Sequence, residues 1–169
     1  MPNRREEAML FSLPVHWLIA VDITAWLVIH LAVAWAGTQL SADRFNPRGW
    51  LYRERPWEFG GRFYEKMAGI RAWKHLLPDG AALFAGGFRK ARLVRRTPEY
   101  LQAFVVETCR GEAVHWVVAA CSLLFFLWNP WYVGVIMVGY GLAANMPCIL
   151  AQRYNRIRLL RVIRARGRG

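Results

Sequence analysis

The sequence has few acidic residues and few cysteines, and it lacks the motifs of common soluble enzymes. Aspartate and glutamate number 11 against 23 lysines and arginines, so the formal net charge is +12. Three cysteines are too few, and odd in number, for a secreted domain held together by disulfides. Cysteine and histidine pairs with zinc spacing are absent, and so is a glycine-rich phosphate loop after a strand. We therefore expect no metal and no cofactor.

Apolar residues, by contrast, are abundant and are grouped in long runs. Hydrophobic residues make up 56% and aromatic residues 14%, which excludes a disordered basic tail. The runs extend from Ala8 to Ala36, from Ala113 to Trp128 and from Pro130 to Ala151. A helix needs about 20 residues to cross a hydrocarbon layer of about 30 Å. The sequence therefore predicts an all-α integral membrane protein, with residues 1–169 forming a single membrane domain.

We predict three transmembrane helices, over residues 9–36, 106–128 and 130–152, and the last two form a hairpin. The middle run is short, but Thr97-Pro98-Glu99 is a helix start, so the helix should enter the membrane from there without a break. Asn129-Pro130 predicts the turn of the hairpin. The first run is too long for a signal peptide and contains Asp22, so we expect it to be retained.

The distribution of basic residues predicts the orientation. The segment from Ser41 to Glu99 contains 13 basic and 6 acidic residues, and the tail from Arg153 contains seven arginines and no acid. Lysine and arginine accumulate on the cytoplasmic side of membrane proteins. We therefore expect a cytoplasmic loop over residues 37–98, a cytoplasmic basic tail over 153–169 and an external N-terminus, in a multi-pass protein of the cell inner (cytoplasmic) membrane.

Part of the loop has the pattern of an amphipathic helix. Phe63, Met67, Ile70 and Leu77 have approximately helical spacing, and basic residues lie between them. Such a helix lies among lipid headgroups, so membrane lipid is an expected partner. Pro78-Asp79-Gly80 should end it, and the short apolar run that follows, Ala81 to Phe88, should dip into the interface or pack as a loop.

The second span carries a broad polar face. At 100° per residue, one face of the helix carries Glu107, Thr108, Arg110, Gly111, Glu112 and His115. Glu112 and His115 are three residues apart, so the carboxylate can orient the imidazole and leave its other nitrogen as a base. Ionisable groups within a span are costly and mark functional sites. The alternative is that Glu107, Arg110 and Glu112 pair with one another at a wet interface.

A matching polar stripe occupies the end of the third span. Asn145, Gln152 and Arg156 are separated by seven and four residues. In a hairpin, residues lie level when their numbers sum to about 260 at equal helical rise. His115 then lies level with Asn145, and Glu107 with Gln152 and Arg153. This predicts a shared cavity near the cytoplasmic interface, although an interhelical hydrogen bond alone would also account for Asn145.

Two helical blocks of the sequence resemble a known family. The blocks are Glu107-Thr108-Cys109-Arg110-Gly111-Glu112-Ala113-Val114-His115-Trp116, and Ala144-Asn145-Met146-Pro147 with Gln152-Arg153-Tyr154-Asn155-Arg156-Ile157-Arg158-Leu159. They are similar to the corresponding blocks of the glycosyl-4,4'-diaponeurosporenoate acyltransferases, which act last in staphyloxanthin-type carotenoid synthesis. The stretch from Glu58 to Gly80, with Trp73 and Lys74, resembles the loop of that family. The resemblance implies transfer of a fatty acyl group to a sugar hydroxyl of a glycosylated carotenoid or similar glycolipid.

This reaction gives roles to the polar residues. We expect His115 to be the general base, oriented by Glu112, with Asn145 or Arg110 stabilising the oxyanion and Glu107 as the next candidate base. The expected substrate-binding residues are Trp73, Lys74, Gln152, Arg153, Asn155 and Arg156. The co-substrate should be an acyl thioester, on coenzyme A or an acyl carrier, and Arg153, Arg156 and Arg158 could hold its phosphates.

Two other functions remain open at this point. The protein could be a non-catalytic membrane subunit that binds a lipid or a partner, or another lipid enzyme such as a hydrolase. A nucleic-acid partner fits the charge but not the membrane spans. The sequence leaves the oligomeric state open.

Overall fold

A computed structural model describes residues 14–77 and 97–167. All regular elements in these two ranges are helical. Three helices are long and apolar enough to cross a membrane: α1 (Val15–Gln39), α4 (Pro98–Cys121, continued by a 3₁₀ segment Ser122–Leu127) and α5 (Trp131–Arg166). Between α1 and α4 lie α2 (Arg62–Lys66), α3 (Ile70–Trp73) and 3₁₀ turns at Ala42–Arg44, Pro56–Gly61 and Lys74–Leu76. The predicted all-α class is confirmed for the described residues.

Two of the long helices, α1 and α5, end beyond their predicted bounds. The helix α1 continues to Gln39, and the predicted part of it before residue 14 lies outside the described residues. The helix α4 begins at Pro98 as predicted, because the Thr97 hydroxyl accepts a hydrogen bond from the backbone N–H of Tyr100 at 3.4 Å. The helix α5 continues to Arg166, so most of the predicted tail is helical. Residues 148–166 contain neither proline nor glycine, which explains this continuation.

The helices α4 and α5 pack antiparallel along their length. Near the turn that joins them, a Cβ atom at Gly134 would lie 2.4 Å from the ring of Phe126, so only glycine allows this approach. At the opposite end, Leu159 of α5 packs among apolar side chains of α4, namely Leu101, Phe104 and Val105. These contacts at both ends fix the position of α4 along α5, and therefore which side chains in the middle of the two helices face each other.

The helix α1 runs antiparallel to α4 and is held at both ends. Asp22 is buried, and its carboxylate accepts hydrogen bonds from the Trp128 indole and the Asn129 amide, both at 2.8 Å. These bonds explain how a charged residue is tolerated within the first apolar run. At the other end, Gly37 lies against Val114, whose Cγ2 would be 2.5 Å from an added Cβ.

The prediction of one amphipathic helix in the loop is wrong. Two short helices, α2 and α3, are separated at Gly69, whose φ of +55° lies in the left-handed region that ends a helix. Tyr64 and Ile70 are fully buried against α5 rather than facing lipid, whereas Met67 is 76% exposed. Packing on α5 therefore decides the local structure. The predicted stop at Pro78-Asp79-Gly80 and the run Ala81 to Phe88 lie outside the described residues.

Candidate functional site

A buried ionic network joins α4, α5 and the loop before α2. Its members are two carboxylates, Glu58 and Glu112, and two guanidinium groups, Arg153 and Arg156. Both carboxylates are 0% exposed and Arg156 is 1% exposed. Arg153 Nη1 donates to Glu112 Oε1 at 2.8 Å and Arg153 Nε to Glu58 Oε1 at 3.0 Å, while Arg156 Nη2 donates to Glu112 Oε2. Buried charges are stable only when paired in this way.

All five N–H groups of the Arg153 guanidinium have acceptors within the protein. Besides the bonds to Glu58 Oε1 and Glu112, Nη1 donates to the carbonyl of Leu51 at 3.0 Å. The Nη2 atom donates to the carbonyl of Arg53 and to Glu58 Oε2, both at 3.3 Å. The phosphate-binding role that the sequence predicts for Arg153 does not fit this geometry, because its donors already hold the loop onto α5.

Glu58 reaches the network through a tight turn. The residues Phe59, Gly60 and Gly61 have φ angles of 45°, 65° and 91°, which reverse the chain directly after Glu58. The Tyr64 hydroxyl and the Arg55 backbone N–H donate to its carboxylate. Burial alone would raise the pKa of Glu58, but the hydrogen bonds from Arg153, Tyr64 and Arg55 bring that pKa below its usual value.

The sequence-based site did not include Glu58 and Tyr64. One signal in the sequence could have indicated a residue such as Glu58. Two buried arginines on the inner face of α5 need more negative charge for ion pairing than the single carboxylate of Glu112 supplies. A second acidic residue from the loop was therefore required. Several acidic residues were available in the loop, and only the fold selects Glu58 among them.

Arg156 is more deeply buried than Arg153 and has unused hydrogen-bonding capacity. Its Nε donates to the carbonyl of Tyr52 at 3.0 Å, and its guanidinium lies 5.5 Å from the centre of the Tyr52 ring. Two buried atoms, Arg156 Nη1 and Gln152 Oε1, have no hydrogen-bonding partner in the described part of the chain. Since these residues are four apart on α5, both side chains lie on one face of the helix.

His115 and Asn145 meet across α4 and α5, at the level that the sequence predicts. His115 Nδ1 and Asn145 Oδ1 are 2.9 Å apart, and the Asn145 amide nitrogen donates to the carbonyl of Gly141 at 2.8 Å. Because Asn145 Oδ1 can only accept, His115 Nδ1 carries the proton and the basic lone pair is on Nε2. Both carboxylate oxygens of Glu112 accept from arginines, so the orienting role expected of Glu112 stays a prediction. Asn145 holds Nδ1 of the imidazole.

Arg110 and Glu107 face α1 rather than α5. Arg110 Nε donates to Glu107 at 3.0 Å, and Nη1 donates to the carbonyls of Gly37 and Leu40 at 2.7 and 2.6 Å. A cation at the last carbonyls of α1 is favourable for that helix. The predicted polar face of α4 is thus divided between contacts to α1 and contacts to α5. Among the described residues, Glu107 pairs with Arg110, and not with Gln152 or Arg153 as its predicted level suggested.

Comparison with known proteins identifies a family whose sequence model matches this chain. A sequence model of the glycosyl-4,4'-diaponeurosporenoate acyltransferases matches residues 47–165, the range that contains the ionic network and the His115–Asn145 pair. This chain belongs to that family. It is therefore an acyltransferase, and the resemblance found in the two helical blocks is confirmed.

Curated relatives of the acyltransferase agree with this assignment. Proteins named glycosyl-4,4'-diaponeurosporenoate acyltransferase from Staphylococcus aureus strains bovine RF122 / ET3-1 and USA300 are each 31% identical to this chain over 145 residues. The match covers 84% of this chain and 87% of each relative. A protein of the same name from strain Newman is 30% identical. No solved structure matches the chain significantly.

The remaining predicted substrate residues of the acyltransferase form a second cluster beneath α5. Lys74 Nζ donates to Asn155 Oδ1 at 3.1 Å and lies 4.9 Å from the centre of the Tyr154 ring. The Trp73 indole donates to the carbonyl of Ala68 at 2.7 Å. Burial, followed by the charges of Arg158 and Arg71, lowers the pKa of Lys74. Arg158 itself pairs with Glu65 at 3.1 Å.

Proposed function

We propose that this acyltransferase moves a fatty acyl group from an activated thioester to a sugar hydroxyl of a glycosylated carotenoid or a similar glycolipid. The name of the relatives supports the acceptor class, and the three apolar helices support a lipid-soluble acceptor. The observation that carries the proposal is the His115–Asn145 pair, which presents an oriented imidazole between two apolar helices.

The depth of His115 fits an acceptor with an apolar body and a polar head. Asn145, which bonds to His115, lies 15 residues along α5 from Pro130, or about 22 Å at 1.5 Å per residue. If the turn between α4 and α5 lies at the outer interface, His115 is near the inner boundary of a layer about 30 Å thick. The end of α1 lies near the same depth, since Gly37 packs against Val114, the residue before His115. A sugar head at this boundary would meet His115 while its polyene lies among the helices.

The proposed reaction is a direct transfer with His115 as general base. The acceptor hydroxyl gives its proton to His115 Nε2 as its oxygen attacks the thioester carbonyl. The carbon–sulfur bond then breaks, and the departing sulfur takes the proton back from the imidazolium. The products are an ester and a thiol, and the histidine returns to its starting state. Asn145 holds the Nδ1–H tautomer through both steps.

Other polar groups, two to three turns beyond Asn145 on α5, complete the proposal. Arg156 Nη1 and Gln152 Oε1 offer one donor and one acceptor, which suits the hydroxyl groups of a sugar. The predicted oxyanion roles of Asn145 and Arg110 stay predictions, since both side chains also have partners within the protein. We place the protein in the cytoplasmic membrane, with its N-terminus outside and its C-terminus in the cytoplasm, because the loop and the end of α5 are basic.

The first experiment tests the reaction itself. Pigments and glycolipids are extracted from cells with and without this gene and analysed by mass spectrometry. We expect an acyl ester of a glycosylated carotenoid only when the gene is present. Free fatty acid in place of the ester would identify a hydrolase, and unchanged lipids would remove the proposed acyltransfer.

The second experiment tests the base. His115→Gln keeps a group that can hydrogen-bond to Asn145 but cannot take a proton, so acyl transfer in membranes should fall about 10²–10⁴-fold. His30→Gln is the matched control, because His30 lies on α1 and its hydrogen bond within the described residues is local, to the carbonyl of Trp26 at 2.9 Å. Turnover by His115→Gln close to that of His30→Gln would reduce His115 to a structural role.

A further inference from the structure

A groove of about 890 Å³ opens at the end of α4 and α5 that lies beyond the ionic network. Its floor is apolar, with Val105 and Val106 from α4 and Leu160 and Ile163 from α5. Its rim comes from the loop before α2 and from the last turn of α5. The volume lies within the range of about 300–1,000 Å³ that is usual for small-molecule sites.

The rim of the groove is strongly basic. Arg48, Arg53, Arg55 and Arg164 line it, and Glu54 is the acidic residue among the lining side chains. Arg55 is held in place, because its Nη2 donates to the carbonyl of Trp50 at 2.6 Å and its guanidinium lies 5.4 Å from the centre of the Trp50 ring. An excess of guanidinium groups at the mouth of a cavity favours an anionic ligand, and phosphate is the anion that arginine binds best in a fork.

These arginines differ from those of the ionic network. The guanidinium groups of Arg153 and Arg156 are engaged by buried carboxylates. Within the described residues, by contrast, the guanidinium groups of Arg48, Arg53 and Arg164 have no hydrogen bond or ion pair. Arg48, Arg53 and Arg164 are also exposed, so a ligand from the aqueous phase can reach them.

We propose that this groove binds the phosphorylated head of the acyl donor, a small soluble thioester carrier of the coenzyme A class. The inference rests on the proposed function for the identity of the donor, but it assigns the donor to residues outside the sequence-based site. Val105 of the groove is ten residues before His115, so the two residues lie about 15 Å apart along α4 and about 80° apart around it. A carrier whose thioester lies at the end of a long flexible arm can therefore place its head in the groove and its reacting carbon at the imidazole.

A small carrier suits the groove better than a carrier protein. Protein partners bury about 800 Å² on each side of a stable interface, over a broad surface. The groove instead concentrates its charge around one cavity with an apolar floor. An anionic lipid headgroup shares the phosphate chemistry, and the experiment separates it from the soluble carrier.

The test measures binding without any reaction. The full chain is placed in nanodiscs of zwitterionic lipid, and the binding of coenzyme A, which carries no acyl group, is measured by calorimetry. We expect saturable binding that weakens with salt. Arg53→Glu and Arg164→Glu should each lower the affinity about tenfold or more, because each replaces a favourable charge with a repulsive one. Lys66→Glu makes the same change of charge at an exposed lysine outside the groove and should leave the affinity unchanged.

Each other outcome overturns the assignment. Absence of coenzyme A binding to the wild-type chain, or equal affinity in Arg164→Glu and Lys66→Glu, would exclude the groove as the donor site. Loss of binding when anionic lipid is added would identify the groove as a lipid headgroup site, and binding only of an acylated carrier protein would identify the other donor class. Failure of the proposed reaction is separate, because it would leave coenzyme A binding intact while removing the ester product. In the reaction, Arg164→Glu should raise the KM for the donor and leave kcat unchanged.

Discussion

The carboxylate of Glu112 on α4 and the guanidinium of Arg153 on α5 form a 2.8 Å ion pair between residues 41 positions apart. The pair is closed off by Arg156 on one side and by Glu58 of the loop on the other. Three separate parts of the chain therefore meet at one set of charges. The network therefore holds these three segments together, and substitution of Arg153 or Arg156 should lower the stability of the fold.

We predict that Arg153→Ala destabilises the protein rather than weakening donor binding alone. Removing one partner from a buried ion pair costs about 3–5 kcal/mol, because a buried charge is left unpaired. The measurement is thermal unfolding in detergent, together with the yield of monodisperse protein. Arg164→Ala is the control, since Arg164 is exposed on the same helix about three turns later and its guanidinium has no hydrogen bond or ion pair within the described residues. Equal stability of the two variants would mean that Arg153 is available for a substrate.

We predict a loss of stability in acid that depends on Glu58. The pKa of Glu58 is lowered in the folded protein, so the unfolded chain takes up the proton first as the pH falls. The contribution of Glu58 is therefore fully present above its ordinary pKa near 4.5 and is lost as the pH falls through the lower folded value. Melting temperatures measured from pH 7 to pH 3 should show this loss in the wild type. Glu58→Gln should start lower and lose less, and parallel curves for the two proteins would contradict the prediction.

We predict that Gly37→Val separates α1 from α4. An added Cβ would lie 2.5 Å from Val114, and the shift would pull the carbonyl of Gly37 away from Arg110. Overpacking of this kind costs about 1–3 kcal/mol. Gly139→Val is a matched control on α5, because a Cβ there meets no atom of the described residues within 4 Å. The readout is the rate of cross-linking between cysteines introduced on α1 and α4, which should fall only in Gly37→Val.

We predict that the loop and the end of α5 lie on the same, cytoplasmic side of the membrane. Basic residues dominate both segments, and basic segments are retained in the cytoplasm during insertion. Reporter fusions after Leu77 and after Arg161 should both be active only as cytoplasmic reporters. An external signal at either position would overturn the topology with three spans.

Periodicity and helical rise were enough to predict part of the site. The level of His115 with Asn145 follows from the position of the Asn129-Pro130 turn, and the helix start at Thr97 follows from local capping chemistry. The same counting misplaced Arg153 relative to Glu112, because side chains on a helix lean toward its N-terminus. A long arginine on α5 therefore reaches back by about one turn.

The loop could not be predicted in the same way. Phe63, Met67, Ile70 and Leu77 have helical spacing, yet Gly69 breaks the helix. Tyr64, which lies outside this spacing, packs on α5 together with Ile70. The turn at residues 59–61 decides which loop carboxylate enters the ionic network. Such a turn has no periodic pattern of apolar residues from which it could be predicted. Tertiary contacts, not local pattern, select Glu58.

The ionic network also sets an order of events during synthesis. Glu58 and Arg153 are 95 residues apart, so the carboxylate leaves the ribosome about 5–19 s before its partner at 5–20 residues per second. Until α5 is inserted, Glu58 and Glu112 lack both arginines, and the loop has nothing to close upon. We expect the nascent chain to keep its loop open in water through this interval and to lock it as the last helix arrives. A chain truncated before Arg153 should remain an open, protease-sensitive intermediate.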